Sequence, residues 1–439
     1  MANSLVEVFR IKELRKRIGF TALMLTIFRL GTIIPIPGIN VNALRIYFTS
    51  AGSSSTIGLV DYLDFFAGGA FTNFSVFMLG IMPYISTQII MQLLLVVFPS
   101  LKRLSEEDGG RKKIQKYTRY GTVVISLLQS YVVTVYARSI PDALNIGILP
   151  YTLIAMLTVT TGTMFLVWIG EQITERGIGN GVSLIIFAGI VARIPNAVVT
   201  MFRTVQTGQL NPVVVIIVFA MFVTVVALVI YEQQGQRKIP VHYAKRVVGR
   251  KMYGSQSTYI PFKINPSGVI PVIFASAILS FPLQIATSLG PEITWLARFA
   301  NWLRPQGTPY LIIYTLMIIL FAFFYTQVSL NPTEISRQIR ENGGSIPGIR
   351  SEKIEAYLTR VLNRIVFPGS LFLAFIALIP TLAQKFFNFP SSVAMLLGGT
   401  SLLILVGVDL DTMSQIEGHM KMHHSDGLVR KGRIKSRNL

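Results

Sequence analysis

The sequence predicts an all-α membrane protein with about ten transmembrane helices in the cytoplasmic (inner) membrane. Three observations carry that expectation. Only 14% of the residues are charged and 51% are hydrophobic, whereas soluble globular domains carry about 25% charged residues. Long runs such as Val213–Ile230 and Ile312–Phe324 contain no Asp, Glu, Lys or Arg. Basic residues gather in alternate loops, although the net charge of the whole chain is +20. About 18 apolar residues suffice to cross ~30 Å of hydrocarbon as a helix, and a helix satisfies its backbone polar groups within the segment. An outer-membrane barrel is excluded, because its strands alternate apolar and polar residues and these runs do not.

The first residues, MANSLVEVFRIKELRKRI, mix charged and apolar side chains, so no cleavable signal sequence is expected. Residues 1–17 read as an amphipathic helix at the cytoplasmic membrane surface, with Val6, Phe9, Ile11 and Leu14 toward one side. Spans follow near Ile18–Ile36, Phe74–Phe98, Tyr120–Tyr136, Leu149–Ile169, Val182–Val199, Pro212–Tyr231, Val269–Leu289, Tyr310–Val328, Ile365–Leu382 and Val393–Leu410. Arg193, Pro195 and Asn196 interrupt the fifth, which leaves open an earlier stop than Val199. Between the first two spans lies DYLDFFAGGAF, Asp61–Phe71, too short and too Gly-rich to cross.

Nearly all basic residues fall in the N-terminus (Arg10, Lys12, Arg15, Lys16, Arg17), in segments 99–119, 232–266 and 329–364, and after Leu410. The alternate loops hold only Arg45, Arg138, Arg193, Arg203, Arg298, Arg304 and Lys385. The basic set is therefore cytoplasmic. Both termini then face the cytoplasm, which requires an even number of spans, and ten satisfies this. The loops 232–267 and 329–364 are long enough to be functional rather than mere connections. The first alternates like strands around Arg237–Tyr243 and Tyr259–Ile264, which predicts a protruding hairpin. The second starts and ends helically, with Gly-Gly and Pro-Gly between. Protruding basic loops suit docking to something large and acidic; the plainer reading is that they only fix topology.

Catalytic chemistry is not visible. Charges inside spans cost about 2.5–3.5 kcal/mol on insertion scales and so mark function. The clear case is Arg29, which reads as snorkelling or structurally paired rather than as a proton relay. There is no HExxH helix and no GxSxG elbow. The GIGNG run at Gly177–Gly181 lacks phosphate-loop spacing and reads as a flexible turn. His419, His423 and His424 read as part of a solvated tail, and with no cysteine in the chain no disulfide or thiol chemistry is expected.

Several blocks in order give a more specific signal. They are RLGTIIPIPG at Arg29–Gly38, GIMPYIS at Gly80–Ser86, ITERGIGNG at Ile173–Gly181 with FAGI at Phe187–Ile190, YAKR at Tyr243–Arg246, QSTYIPFKIN at Gln256–Asn265, GVIPVIFASAI at Gly268–Ile278, PGIR at Pro347–Arg350 and GGTSLLI at Gly398–Ile404. Together they resemble the SecY family, the pore-forming alpha subunits of the Sec protein translocase, in bacterial form. The resemblance implies two inverted-topology halves around a central pore with a lateral gate: residues 18–200 holding spans one to five, and residues 201–410 holding spans six to ten, followed by a basic cytoplasmic tail at 411–439. It implies a protein-conducting channel for unfolded secretory polypeptides and signal sequences that also releases membrane segments sideways into lipid. It implies no catalytic residue, no cofactor and no metal. Energy would come from the SecA ATPase or the ribosome, and SecE and SecG would be the small membrane partners.

The family pattern places a pore ring on Ile81, Ile85, Ile186, Ile190, Ile273 and Ile404. Two of these pairs are spaced i, i+4, so each projects from one helix face, and isoleucine is apolar, bulky and stiff at χ1. Such a ring fits around a passing chain while discouraging water and ions. The plug of the family falls on Asp61, Tyr62, Leu63, Asp64, Phe65, Phe66, Ala67, Gly68, Gly69, Ala70 and Phe71. Its two glycines make a displaceable helix reasonable, since each lowers helix stability by roughly 1 kcal/mol. The lateral gate falls on Gln88, Gln92 and Ser276, polar residues suited to interhelical hydrogen bonds of ~0.6 kcal/mol each. Partner docking falls on Arg246, Arg250, Lys251 and Arg350. A secondary transporter, an intramembrane hydrolase and a purely structural subunit are the competing readings. The first two need intramembrane acids or catalytic residues, and the third leaves the ordered blocks without a reason.

Overall fold

The computed structural model describes residues 11–50, 64, 67–138, 140–208, 211–243, 246–248, 251–253, 257–289, 293–303, 307–387 and 399–431. The chain forms two compact units. One comprises Met1–Asn196, Gln284–Ala297 and Ile404–Leu439; the other comprises Ala197–Leu283 and Arg298–Leu403.

The first unit opens with α1 (Lys12–Gly31), α2 (Val41–Ser50), α3 (Met82–Val97), α4 (Pro99–Glu106), α5 (Gly110–Arg138), α6 (Ile148–Arg176) and α7 (Gly181–Val191). Lys12–Arg17, which the sequence assigns to an amphipathic N-terminal element, are the first turns of α1. The second span begins later than its apolar run suggests. Residues 68–81 pass through turns, and the helix starts only at Met82. Phe74 (φ 44°) and Gly80 (φ 58°) take left-handed backbone, through which a right-handed helix does not continue. Pro83 then sits in the first turn, where its missing N–H is no loss. At the other end Pro99 follows Phe98, and α4 departs from α3 at 103°. The fifth span does not stop early: α7 ends at Val191, Ala192 and Arg193 turn, and α8 (Ile194–Gln206) continues it, so that Gly181–Gln206 forms one apolar stretch of 26 residues.

The second unit contains α9 (Pro212–Gln234), whose start is fixed by Pro212 in the first turn and by the Asn211 side chain, which accepts from Val213 N–H at 3.0 Å. Val213, Ile216, Phe219 and Val223 are exposed on α9, an apolar outside suited to lipid. The first long loop folds into β1 (Gln236–Tyr243), β2 (Arg246–Val248), β3 (Lys251–Tyr253) and β4 (Ser257–Lys263). β1 and β4 pair antiparallel from Gln236↔Lys263 to His242↔Ser257, as the alternation predicts, and β2 and β3 pair as a separate ribbon. After α10 (Ile270–Leu289), α11 (Thr294–Trp302) and α12 (Thr308–Ser329), the second long loop begins with α13 (Pro332–Glu341), capped by Asn331 accepting from Thr333 N–H at 3.1 Å. β5 (Gly344–Ser345) then adds to the other edge of β1, and a 3-10 turn at Ser351–Lys353 leads into α14 (Ile354–Phe387). The two long loops thus share one sheet, ordered β4–β1–β5. Beneath it Ile239, Val241, Phe262, Ile339, Ile346, Ile354, Leu358 and Leu362 form a closed apolar cluster.

The last helix, α15 (Gly399–Lys431), returns to the first unit. There it meets the GIGNG turn, which is tightly fastened. Ile178 N–H donates to Thr21 Oγ1 of α1 at 3.1 Å, and Gly179 N–H donates to Gln415 Oε1 of α15 at 2.9 Å. Gly181 N–H donates to Thr174 Oγ1 at 2.9 Å, while the Asn180 side chain caps α7. Leu14 and Ile178 are buried together, with Ile11, Ile18, Ile416 and Met420 packed around them.

Among the described residues each of the ten expected spans overlaps helix, in α1, α3, α5, α6, α7 with α8, α9, α10, α12, α14 and α15, the second only from Met82 and the tenth, whose first residues lie outside the described ones, from Gly399. Among the described residues, six helical stretches are long and apolar enough to cross a membrane, or seven if the bent α3–α4 pair counts as one. The chain is a multi-pass membrane protein.

Candidate functional site

All six isoleucines are buried. In the first unit, Ile81 precedes α3 and Ile85 lies in its first turn, Ile186 and Ile190 share α7, and Ile404 lies on α15. Ile273 lies on α10, in the part that belongs to the second unit.

Of the segment Asp61–Phe71, Asp61, Tyr62, Leu63, Phe65 and Phe66 lie outside the described residues. The others are organised around one carboxylate. Asp64 has no exposed surface, which for a charged side chain demands a full set of partners. Its Oδ1 accepts from the N–H groups of Phe71 at 2.8 Å and Thr72 at 3.1 Å. Its Oδ2 accepts from Thr72 Oγ1 at 3.0 Å and from Arg193 Nη2 at 2.5 Å. The chain around Gly68 and Gly69 therefore wraps its own acid, and Arg193 closes the shell from the break between α7 and α8.

Two further contacts hold the segment. Arg29 Nη1, from α1, donates to the Gly68 carbonyl at 2.7 Å. Gly68 (φ 67°) lies against α7 so closely that a Cβ there would be 2.7 Å from the Cα of Gly189. Gly189 sits between Ile186 and Ile190, so this contact falls at the level of those two side chains. Ala67, Gly68, Ala70 and Phe71 are buried, and Phe71 and Phe74 pack on the ring of Tyr136, the latter pair stacked at 5°.

Among the residues expected at the gate, Gln92 Oε1 is buried and has no hydrogen-bond partner among the described residues, Gln88 is half-buried, and Ser276 Oγ donates to Ile273 O within its own helix at 2.7 Å. A stronger polar tie lies nearby on α5 and α6. Arg119 presents Nε and Nη2 to the two oxygens of Glu171 at 2.9 and 2.8 Å, and Gln115 adds a bond at 3.1 Å. Of the docking residues, Arg246 and Lys251 lie in the β2–β3 ribbon, Arg250 lies outside the described residues, and Arg350 is exposed just before the 3-10 turn.

The sequence singles out the segment Asp61–Phe71 but not the counter-ion of Asp64. Arg193 was visible as a charge interrupting an apolar run, and Arg29 as a charge inside a span. That is the signal available for both, since a lone charge at membrane depth needs a partner. The partner of Arg193 lies 129 positions away, beyond any local pattern.

A family model described as SecY matches residues 75–413. The chain is 46% identical to the protein translocase subunit SecY of Borreliella burgdorferi over 423 residues, covering 96% of each. It is 45% identical to the protein of the same name from Thermotoga maritima, over the full length of both. Among solved structures, it resembles one described as "The structure of a protein conducting channel", with a TM-score of 0.63 at 18% identity, covering 92% of this chain and 91% of that one. It also resembles Sec61 in the canine ribosome-channel complex, with a TM-score of 0.61 at 18% identity and the same coverage.

Proposed function

The chain belongs to the SecY family, and from that premise we propose that it is a protein-conducting channel of the cytoplasmic membrane. It moves unfolded secretory polypeptides across the bilayer, accepts signal sequences, and releases membrane segments into the lipid. Both termini face the cytoplasm. SecE and SecG complete the complex, and the SecA ATPase or the ribosome supplies the drive by docking on the long basic loops through Arg246, Arg250, Lys251 and Arg350. Residues 18–200 and 201–410 form the two halves. Ile81, Ile85, Ile186, Ile190, Ile273 and Ile404 form the constriction, Asp61–Phe71 plugs it, and Gln88, Gln92 and Ser276 line the sideways gate.

The observation that carries this reading is the seating of Gly68 on Gly189. A Gly-rich segment that is no span of its own packs on α7 between two residues of the ring. A plug must lie there, and a lipid-facing turn would not. An apolar collar of stiff isoleucines keeps water and ions out of a narrow passage, yet binds no particular sequence, because apolar contact is non-directional.

The native chain has no cysteine, so single cysteines give a clean test. A translocation intermediate stalled in the membrane and carrying one cysteine is expected to crosslink to cysteines placed at each of the six ring positions. Crosslinks confined to one helix, or none, would overturn the ring.

A further inference from the structure

We propose that Asp64 and Arg193 form a latch that sets how readily the plug leaves, so that the closed channel is held by a buried ion pair as well as by apolar packing. The inference rests on the plug reading above and deepens it. The bonds to Asp64 sort into two kinds. Phe71 N–H, Thr72 N–H and Thr72 Oγ1 belong to the same segment as the acid and travel with it. The bond from Arg193 joins that segment to the fifth span. Departure of the plug leaves the first kind intact and must break the second.

The place of Arg193 gives the latch a lever. It lies in the two-residue interruption between α7 and α8, and its N–H donates to the Ile190 carbonyl at 3.1 Å. The guanidinium that holds the plug is therefore one turn from a ring residue. Any movement of α7 that widens the ring moves the anchor of the latch as well. Arg29 makes the other guanidinium contact to the plug, but its acceptor on Gly68 is a neutral carbonyl. Both bonds are charge-assisted, but only the Asp64 contact pairs two opposite charges, so it carries a Coulombic attraction that the Arg29 contact lacks. Asp64 has no exposed surface and Arg193 is 24% exposed, so salt screens the pair weakly. Losing Arg193 leaves the Asp64 carboxylate buried without its counter-charge, a burden that falls on the closed state alone.

The test uses the complete channel complex reconstituted in bilayers without substrate, together with export of a protein bearing a defective signal sequence. Arg193→Gln is expected to raise resting ion conductance roughly tenfold or more and to relax signal selectivity. Asp64→Asn keeps the shape of the side chain and should do the same. The double variant should leak no more than the worse single one, because both remove one shared interaction. Strictly additive leaks would mean that the residues act separately and would overturn the latch. Deletion of residues 61–71 is the control that separates the two readings. If the deletion leaks and Arg193→Gln does not, the latch fails while the plug stands; if neither leaks, the plug reading itself fails. Should Arg193→Gln fail to accumulate, Arg193→Lys decides. It keeps the charge, so its resting conductance should stay near that of the parent, and a leak as large as that of the deletion would show that charge is not what holds the plug.

Discussion

The segment around Asp64 and the body built from the two long loops are the two places where irregular backbone is organised most closely, and they are held by opposite means. Around Asp64 the cohesion is polar. One carboxylate gathers two backbone amides, a hydroxyl and a guanidinium, and Gly68 brings the chain against Gly189 of α7. In the loop body the cohesion is apolar. A three-stranded sheet covers a cluster of buried isoleucine, leucine, valine and phenylalanine side chains drawn from both loops. Hydrogen bonds weaken steeply with angle and distance, so a polar anchor lets go over a small displacement. Apolar burial has no preferred direction and scales with area, so such a body tolerates small shifts without coming apart. The first arrangement suits the proposed release of a plug, the second the proposed docking of a partner.

The largest effect that would sharpen this contrast is expected at Arg350. It is exposed on the rigid body, next to the 3-10 turn that leads into α14. Arg350→Glu reverses a charge without touching the cluster, so translocation should be lost while the chain still inserts and accumulates in the membrane. Normal export by this variant would reduce the loop to a topology signal. Leu358→Ala acts on the body itself. Leu358 is fully buried in the cluster, and such a truncation costs about 2–5 kcal/mol. Limited proteolysis should cut the loops faster, whereas resting conductance should stay unchanged. A leak in this variant would break the contrast, because it would tie plug retention to the loop body. The smallest effect is expected from Ile404→Asn. An amide without partners in an apolar place costs about 1–3 kcal/mol, and that cost falls on the closed state, since an open passage holds water or polypeptide. Defective signal sequences should then be exported more readily; an unchanged preference would move Ile404 out of the ring.

Much of this was legible in the sequence because lipid restricts the options. The long apolar runs give helices, and among the described residues each expected span overlaps one, though not with the expected bounds. The start of the second span was not legible. Phe74–Gly80 is apolar enough to extend the run, and nothing local reveals that Phe74 and Gly80 turn left-handed. The hairpin Gln236–Lys263 follows from alternation, but its third strand, Gly344–Ser345, is two residues long and carries no pattern. Of the candidate site, the family pattern supplied Ile81 to Ile404 and Asp61–Phe71. The Asp64–Arg193 bond had no such source, because pairing across 129 positions is a property of the fold.

The GIGNG turn has a consequence for how the chain comes into being. Its Gly179 amide is held by Gln415, which is synthesised 236 residues later. Domains usually fold in the order in which they leave the ribosome. Here the first compact unit takes in Met1–Asn196 and also Ile404–Leu439, so the contacts that α15 gives its early helices form only after α15 has been made. A nascent chain that stops short of Gln415 carries an unclosed clasp beside α1. The clasp on Gly179 therefore closes only once Gln415 has been made.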